Sequence, residues 1–126
     1  MSNKLAVIYG GPSPEHDISI LTGLQAAKIL SSKYQILNIY WSRDNRWFLV
    51  DNDLESKDFL ENKDIFKKEI TIKYDSDPGF YLKKKKIEID LMINSCHGGP
   101  GEDGTLQSLF ALLGLNFTGP SLTTSQ

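Results

Sequence analysis

Two glycine-rich segments, each closing an apolar run and each opening a helical pattern, constrain this chain more than any other feature. Residues 5–9 (LAVIY) run into Gly10-Gly11, which reads as a buried strand ending in a tight turn. A second run, in which Ile87, Ile89, Leu91 and Ile93 alternate and Met92 fills an intervening position, reaches about Asn94. It stops just before Cys96-His97-Gly98-Gly99-Pro100-Gly101-Glu102-Asp103-Gly104. Strands alternating with helices predict an α/β fold: a parallel sheet with right-handed crossovers and helices on both faces. In such sheets the ligand crevice lies outside the carboxyl ends of the strands, so the two loops can share one site.

Between these anchors the pattern is uneven. Ser13 reads as an N-cap with Pro14 at the first helical position and an acid behind it. Ile20, Leu24, Ala27 and Leu30 continue the helix toward Ser31-Ser32. Residues 34–41 form a second strand, and a polar turn at residues 42–46 returns the chain into Trp47-Phe48-Leu49-Val50, an inserted hairpin region. Residues 51–86 read as an insertion with a short helix near 53–60 and short strands near 70–74 and 80–82. Residues 106–113 are apolar at helical spacing, Gly114 suits the left-handed C′ position, and residues 116–119 form a last short strand.

A length of 126 residues with 40% hydrophobic content supports one core, hence one domain over residues 1–126. The formal charge of -2 offers no electrostatic footprint for nucleic acid. No apolar stretch approaches a membrane span, the start lacks a signal-peptide core, and the single cysteine excludes an internal disulfide. A cytoplasmic protein with small-molecule or protein partners is expected.

Chemistry concentrates at the two loops. Glu15 at the helix start is either an acid that complements the helix dipole or a carboxylate for a ligand ammonium. His97 is either a structural histidine or a donor to a substrate or partner carboxylate. Glu102 and Asp103 stand where a helix begins, and Gly10, Gly11 and Ser13 support the first loop. Cys96 and His97 are adjacent on an extended strand, so their side chains diverge and a thiolate–imidazole nucleophile is disfavoured; Cys96 is expected to be buried. His16 reads as a solvated helix-start residue. Two histidines and one cysteine make no zinc site. G-x-G-x-x-G and G-x-x-x-x-G-K-[ST] are both absent, which argues against a dinucleotide or a P-loop. The Lys83–Lys86 run reads as a solvated turn or edge protection, with phosphate binding unsupported.

The segments VIYGGPSPEHDIS and HGGPGEDGTLQS, followed by LGLNFTGPS, resemble the amino-terminal domain of D-alanine-D-alanine ligases over almost the whole chain. YWSRDNRWFLVD resembles family members with a longer insertion after the second strand. The resemblance implies a Rossmann-like, pre-ATP-grasp open parallel sheet and the ATP-dependent joining of two D-alanines through an acyl phosphate for peptidoglycan. It implies that Glu15 orients the first D-alanine, that Ile18 lies near its side chain, and that His97 with Gly98 completes the substrate loop.

ATP and magnesium would belong to two further domains after the point where this sequence stops, with none bound by this chain and no metal ligands in it. The remaining ligase domains, D-alanine and a homodimer partner are the implied partners, and the isolated chain is expected to be inactive. The second substrate (D-alanine, D-lactate or D-serine) stays open, as does the alternative of a stand-alone amino-acid- or nucleotide-binding module.

Overall fold

The computed structural model describes residues 4–118. Its centre is a single mixed sheet. Strand β1 (Lys4–Gly10) is followed by helix α1 (His16–Leu30), then β2 (Gln35–Trp41) and β3 (Trp47–Val50). A single helical turn, α2 (Asp58–Glu61), and a 3-10 turn (Lys63–Ile65) lead to β4 (Lys68–Lys73), β5 (Gly79–Leu82), β6 (Lys85–Lys86) and β7 (Leu91–Asn94). Helices α3 (Gly99–Glu102) and α4 (Thr105–Leu112) and strand β8 (Phe117–Thr118) follow.

The strand order β6-β5-β4-β3-β2-β1-β7-β8 divides the sheet into two halves. β2, β1, β7 and β8 run parallel, with Leu5 opposite both Ile36 and Leu91. β3 to β6 form an antiparallel ribbon joined at β2. The parallel expectation therefore holds for half of the sheet only. Short turns make the antiparallel returns from β2 to β3, β4 to β5 and β5 to β6, and residues 51–67 carry the chain from β3 to β4, whereas each parallel pair needs a crossover.

β1 shows why the centre holds. Leu5, Val7 and Tyr9 face one core with Ile20 and Ala27 of α1, while Ala6 and Ile8 face the other with Leu106 and Phe110 of α4. Period-two alternation thus places a helix on each face. On the α1 face the approach is close: a Cβ on Gly23 would lie 2.3–2.6 Å from Tyr9 side-chain atoms. α4 ends as the glycine signal requires, with Leu115 N–H donating to Phe110 O at 2.9 Å and Gly114 N–H to Ala111 O at 3.1 Å.

Several boundaries differ from the sequence pattern. The third principal strand is only Leu91–Asn94. Ile87 and Ile89 still pack on the core, but the chain there is pinned by single bonds, Ile87 N–H to Phe80 O and Asp90 N–H to Lys4 O, both 2.8 Å. The helix expected at 53–60 shrinks to one turn at 58–61 around buried Phe59. The short helix α3 was not anticipated, because Gly99, Pro100 and Gly101 read as loop. The last strand is Phe117–Thr118, and residue 119 lies outside the described residues. Lys85 and Lys86 form the edge strand β6, where lysines discourage pairing with another chain. No helix among the described residues is long and apolar enough to cross a membrane.

Candidate functional site

β1 and β7 are parallel neighbours, so their carboxyl ends bring the two glycine-rich segments together although 84 residues separate Ser13 from His97. β1 has β2 on one side and β7 on the other, with α1 and α4 on opposite faces. That reversal of winding is where open α/β sheets leave a crevice.

The first loop turns at Gly10 and Gly11, and Gly11 N–H donates to Trp41 O at 2.7 Å, tying it to the end of β2. Ser13 does not occupy the N-cap position: the helix starts at His16, and Glu15 stands at its cap with no side-chain cap bond. The Ser13 hydroxyl instead accepts from Glu15 N–H at 2.9 Å and donates across the sheet to His97 O at 2.7 Å. Pro14 and Glu15 are in a turn rather than in the helix, which moves the helix start two residues later than the capping pattern suggested.

Glu15 is exposed, and its carboxylate lies against the second loop: a Cβ on Gly98 would meet Glu15 Oε1 and Ser13 Oγ, each at 3.0 Å. Ile18 follows on the next turn of the same helix face, 58% exposed. His97 is half-buried, and its Nε2 is enclosed without a hydrogen-bond partner among the described residues. An orphaned polar atom of this kind costs about 1–3 kcal/mol unless something outside the chain meets it. Asp103 Oδ1 accepts from Thr105 N–H at 3.0 Å and from the Thr105 hydroxyl at 2.7 Å. Those bonds hold its carboxyl below the usual carboxylate range and fix the start of α4. Glu102 ends α3, and its side chain lies outside the described residues.

The floor beneath these residues is polar, and the sequence did not announce it. Ser19 is fully buried; its hydroxyl donates to Ser95 O at 2.7 Å and accepts from Gly10 N–H at 2.9 Å, stapling α1 to both strand ends. Asn94 spans the second loop, donating to Gly101 O at 2.8 Å and accepting from Cys96 N–H at 2.9 Å. Cys96 is buried as expected, and burial pushes its thiol up to about 12, so it is no thiolate nucleophile.

His16 corrects the solvated reading: it is 3% exposed, with Nδ1 2.8 Å from Gly11 O and Nε2 2.8 Å from the Tyr40 hydroxyl. Since a carbonyl only accepts, Nδ1 carries the proton and Nε2 accepts from Tyr40. Burial lowers the His16 pKa and raises that of Tyr40 to about 12. No local signal marked it, since its partner Tyr40 is 24 residues distant on β2. Arg43, read as part of a polar turn, reaches the rim from the β2–β3 hairpin, donating to Asp17 Oδ1 at 3.2 Å and to Ser13 O at 3.5 Å.

The site is an open edge, and two grooves lie apart from it or beside it. A groove of about 330 Å³ lies between the carboxyl half of α1 and residues 52–56, at the far end of the sheet. Another, of about 320 Å³, adjoins the site behind Pro12 and Pro100, against Trp41 and Trp47. Among the described residues no group of three or more His, Cys, Asp or Glu is placed to hold a metal ion. Chemically, the edge offers the solvent-facing Glu15 carboxylate, the His97 imidazole and a set of backbone groups held by Ser13, Ser19 and Asn94.

A family model described as the D-ala D-ala ligase N-terminus matches residues 4–120. The chain is 36% identical to a D-alanine–D-alanine ligase of Wolinella succinogenes, covering 97% of this chain and 35% of that protein. The crystal structure of D-alanine–D-alanine ligase from Helicobacter pylori superposes with a TM-score of 0.80 at 29% identity, over 94% of this chain and 36% of that one. The VanG D-Ala:D-Ser ligase of Enterococcus faecalis gives 0.72 at 28% identity, over 93% of this chain and 35% of that one. The chain therefore spans about 35% of the length of the curated relatives it matches.

Proposed function

Because the chain belongs to the family of D-alanine–D-alanine ligase amino-terminal domains, we propose that it is the substrate-orienting lobe of an ATP-dependent D-alanine–D-alanine ligase. In this reading the parallel half of the sheet is the Rossmann-like unit of the family, and its carboxyl edge faces the first D-alanine. The Glu15 carboxylate holds that substrate's ammonium, Ile18 lies beside its side chain, and the His97–Gly98 loop closes the other side. Gly10, Gly11 and Ser13 shape the first loop, and Glu102 and Asp103 the second.

The observation that carries the reading is the approach of Glu15 Oε1 to Gly98, close enough that a Cβ would lie at 3.0 Å. Two residues singled out for chemistry by separate motifs thus share one edge. An exposed carboxylate there supplies a counter-charge for an ammonium, and the enclosed, unpartnered His97 Nε2 favours a group arriving from outside the chain. Fixing an amino acid at both ends converts encounter into orientation, a contribution that reaches about 7–11 kcal/mol in the best intramolecular cases.

ATP and magnesium, which the family's chemistry uses, we assign to the rest of the ligase; the described residues contain no group of three or more His, Cys, Asp or Glu that could hold a metal ion. No step through either is assigned to this chain. A relative named for D-Ala:D-Ser ligation shares the fold, so we leave the second substrate to residues beyond this lobe. We take the cytoplasm as the site of action and the rest of the ligase as the main partner.

The test is D-alanine-dependent phosphate release from Mg-ATP by the polypeptide that the natural reading frame encodes. Turnover there, lost about 100-fold or more in Glu15→Gln, supports the assignment. Full turnover in Glu15→Gln refutes the role of Glu15, and D-alanine binding without any turnover favours a binding module instead.

A further inference from the structure

Resting on the site just proposed, we infer that Ser13 is its positioning residue: one hydroxyl sets the separation of Glu15 from the His97 loop. The Ser13 side chain is 7% exposed and both functions of its oxygen are used, accepting from Glu15 N–H at 2.9 Å and donating to His97 O at 2.7 Å. A serine that only began a helix would need the first bond alone. The second crosses from the loop after β1 to the loop after β7 and ties the two directly together.

The backbone of Ser13 is held just as firmly. Its N–H donates to Gly11 O at 2.9 Å, and its carbonyl accepts from His16 N–H at 3.1 Å and from Arg43 at 3.5 Å. The hydroxyl is therefore anchored to the first turn, to α1 and to the β2–β3 hairpin. The second loop rests directly on it: hypothetical Cβ atoms on Gly98 and Gly99 would lie 3.0 Å from Ser13 Oγ and 3.3 Å from Ser13 Cβ. Neither loop can shift toward the other without meeting this side chain, and neither can drift away without breaking one of its two bonds.

Ser13 touches no substrate in this scheme and acts through Glu15 and His97. Its removal should therefore alter handling of the amino acid and leave ATP handling alone. In the natural-length polypeptide, Ser13→Ala should lower kcat/KM for D-alanine by about 10- to 100-fold, the scale on which misplacement by about 1 Å acts. KM for D-alanine should rise, KM for ATP should stay constant, and Ser13→Thr, which keeps the hydroxyl, should remain within a few-fold of the parent.

Hydrogen exchange followed by mass spectrometry on the same polypeptide gives a readout independent of turnover. Ser13→Ala should speed exchange in the peptide spanning residues 96–99 as well as in residues 13–16. A fall in kcat with both KM values unchanged would mean lost folded protein, and would overturn the positioning role. So would wild-type kinetics in Ser13→Ala while Glu15→Gln is inactive, or exchange altered at residues 13–16 alone. Unimpaired turnover in Glu15→Gln would instead remove the site reading on which this inference rests.

Discussion

Replacing Gly98 by alanine tests whether the two loops touch as tightly as the geometry says. Gly98 has φ 71° and ψ 166°, a region open essentially to glycine alone, and forcing another residue into it costs about 1–3 kcal/mol. The new Cβ would also sit 3.0 Å from both Glu15 Oε1 and Ser13 Oγ. The exposed Glu15 carboxylate can swing aside at little cost to stability. Ser13 cannot, because moving its oxygen strains the bonds to Glu15 N–H and His97 O, each worth about 0.5–1.5 kcal/mol. Together these give a loss of about 2–4 kcal/mol.

Gly114→Ala is the matched comparison, since Gly114 has the same φ of 71° with nothing within 4 Å of an added Cβ; its cost should be the left-handed backbone alone, about 1–2 kcal/mol. Equilibrium urea unfolding, followed by the fluorescence of Trp41 and Trp47, measures both. A Gly98→Ala midpoint clearly below that of Gly114→Ala is expected. Equal midpoints would refute the contact argument and with it the claimed approach of the loops.

Gly23→Ala should gain about 1 kcal/mol of helix propensity yet destabilise the protein by about 1–3 kcal/mol net. The added methyl would fall 2.3 Å from a ring atom of the fully buried Tyr9, and overpacked cores have no room to yield. A melting temperature above the parent's would contradict this. Stability should also fall with acid because of His16. Its folded-state pKa is lowered by burial, so the unfolded chain takes the proton first and stability, complete above about pH 6.5, declines as pH drops below that value. Urea midpoints at pH 7.5 and 5.5 should differ less in His16→Gln than in the parent, and an unchanged difference would exclude His16 as the source.

What could be read directly from the residues was whatever depends on local period and local turn chemistry. β1, α1 and β2 follow from an apolar run, helical spacing and a β-branched run, and Gly114 ends α4 through a left-handed turn that only its own neighbours specify. The ribbon β3–β6 was legible in outline: the returning strand at 47–50 and the short strands near 70–74 and 80–82 correspond to β3, β4 and β5, while β6 lies in the lysine run and their antiparallel pairing into one sheet was not read. Its strands are two to six residues long and partly exposed, so alternation has little length in which to show.

The site divides in the same way. Glu15 and His97 stood out because each sits in a loop whose glycines packing alone would not explain. His16 was misjudged because its burial is decided by Tyr40, a residue on another strand. The role of Asn94 and Ser19 was invisible because their partners are backbone atoms, and any sequence supplies those.

The placement of the antiparallel ribbon has a consequence for how the site comes into being and how it tolerates change. Strands β3 to β6 are all added at the β2 edge of the sheet, while β7 returns to the opposite side of β1. The ribbon therefore lengthens the excursion between the two loops without standing between them. Closing an excursion twice as long costs only about 0.6 kcal/mol, so its exposed turns are free to lengthen, while the buried Phe48, Ile70 and Phe80 fix its strands. What such changes would alter is timing: Ser13 waits for its partner until the chain has been made past residue 97, and the loops meet only when β7 docks, among the last pairings available to form.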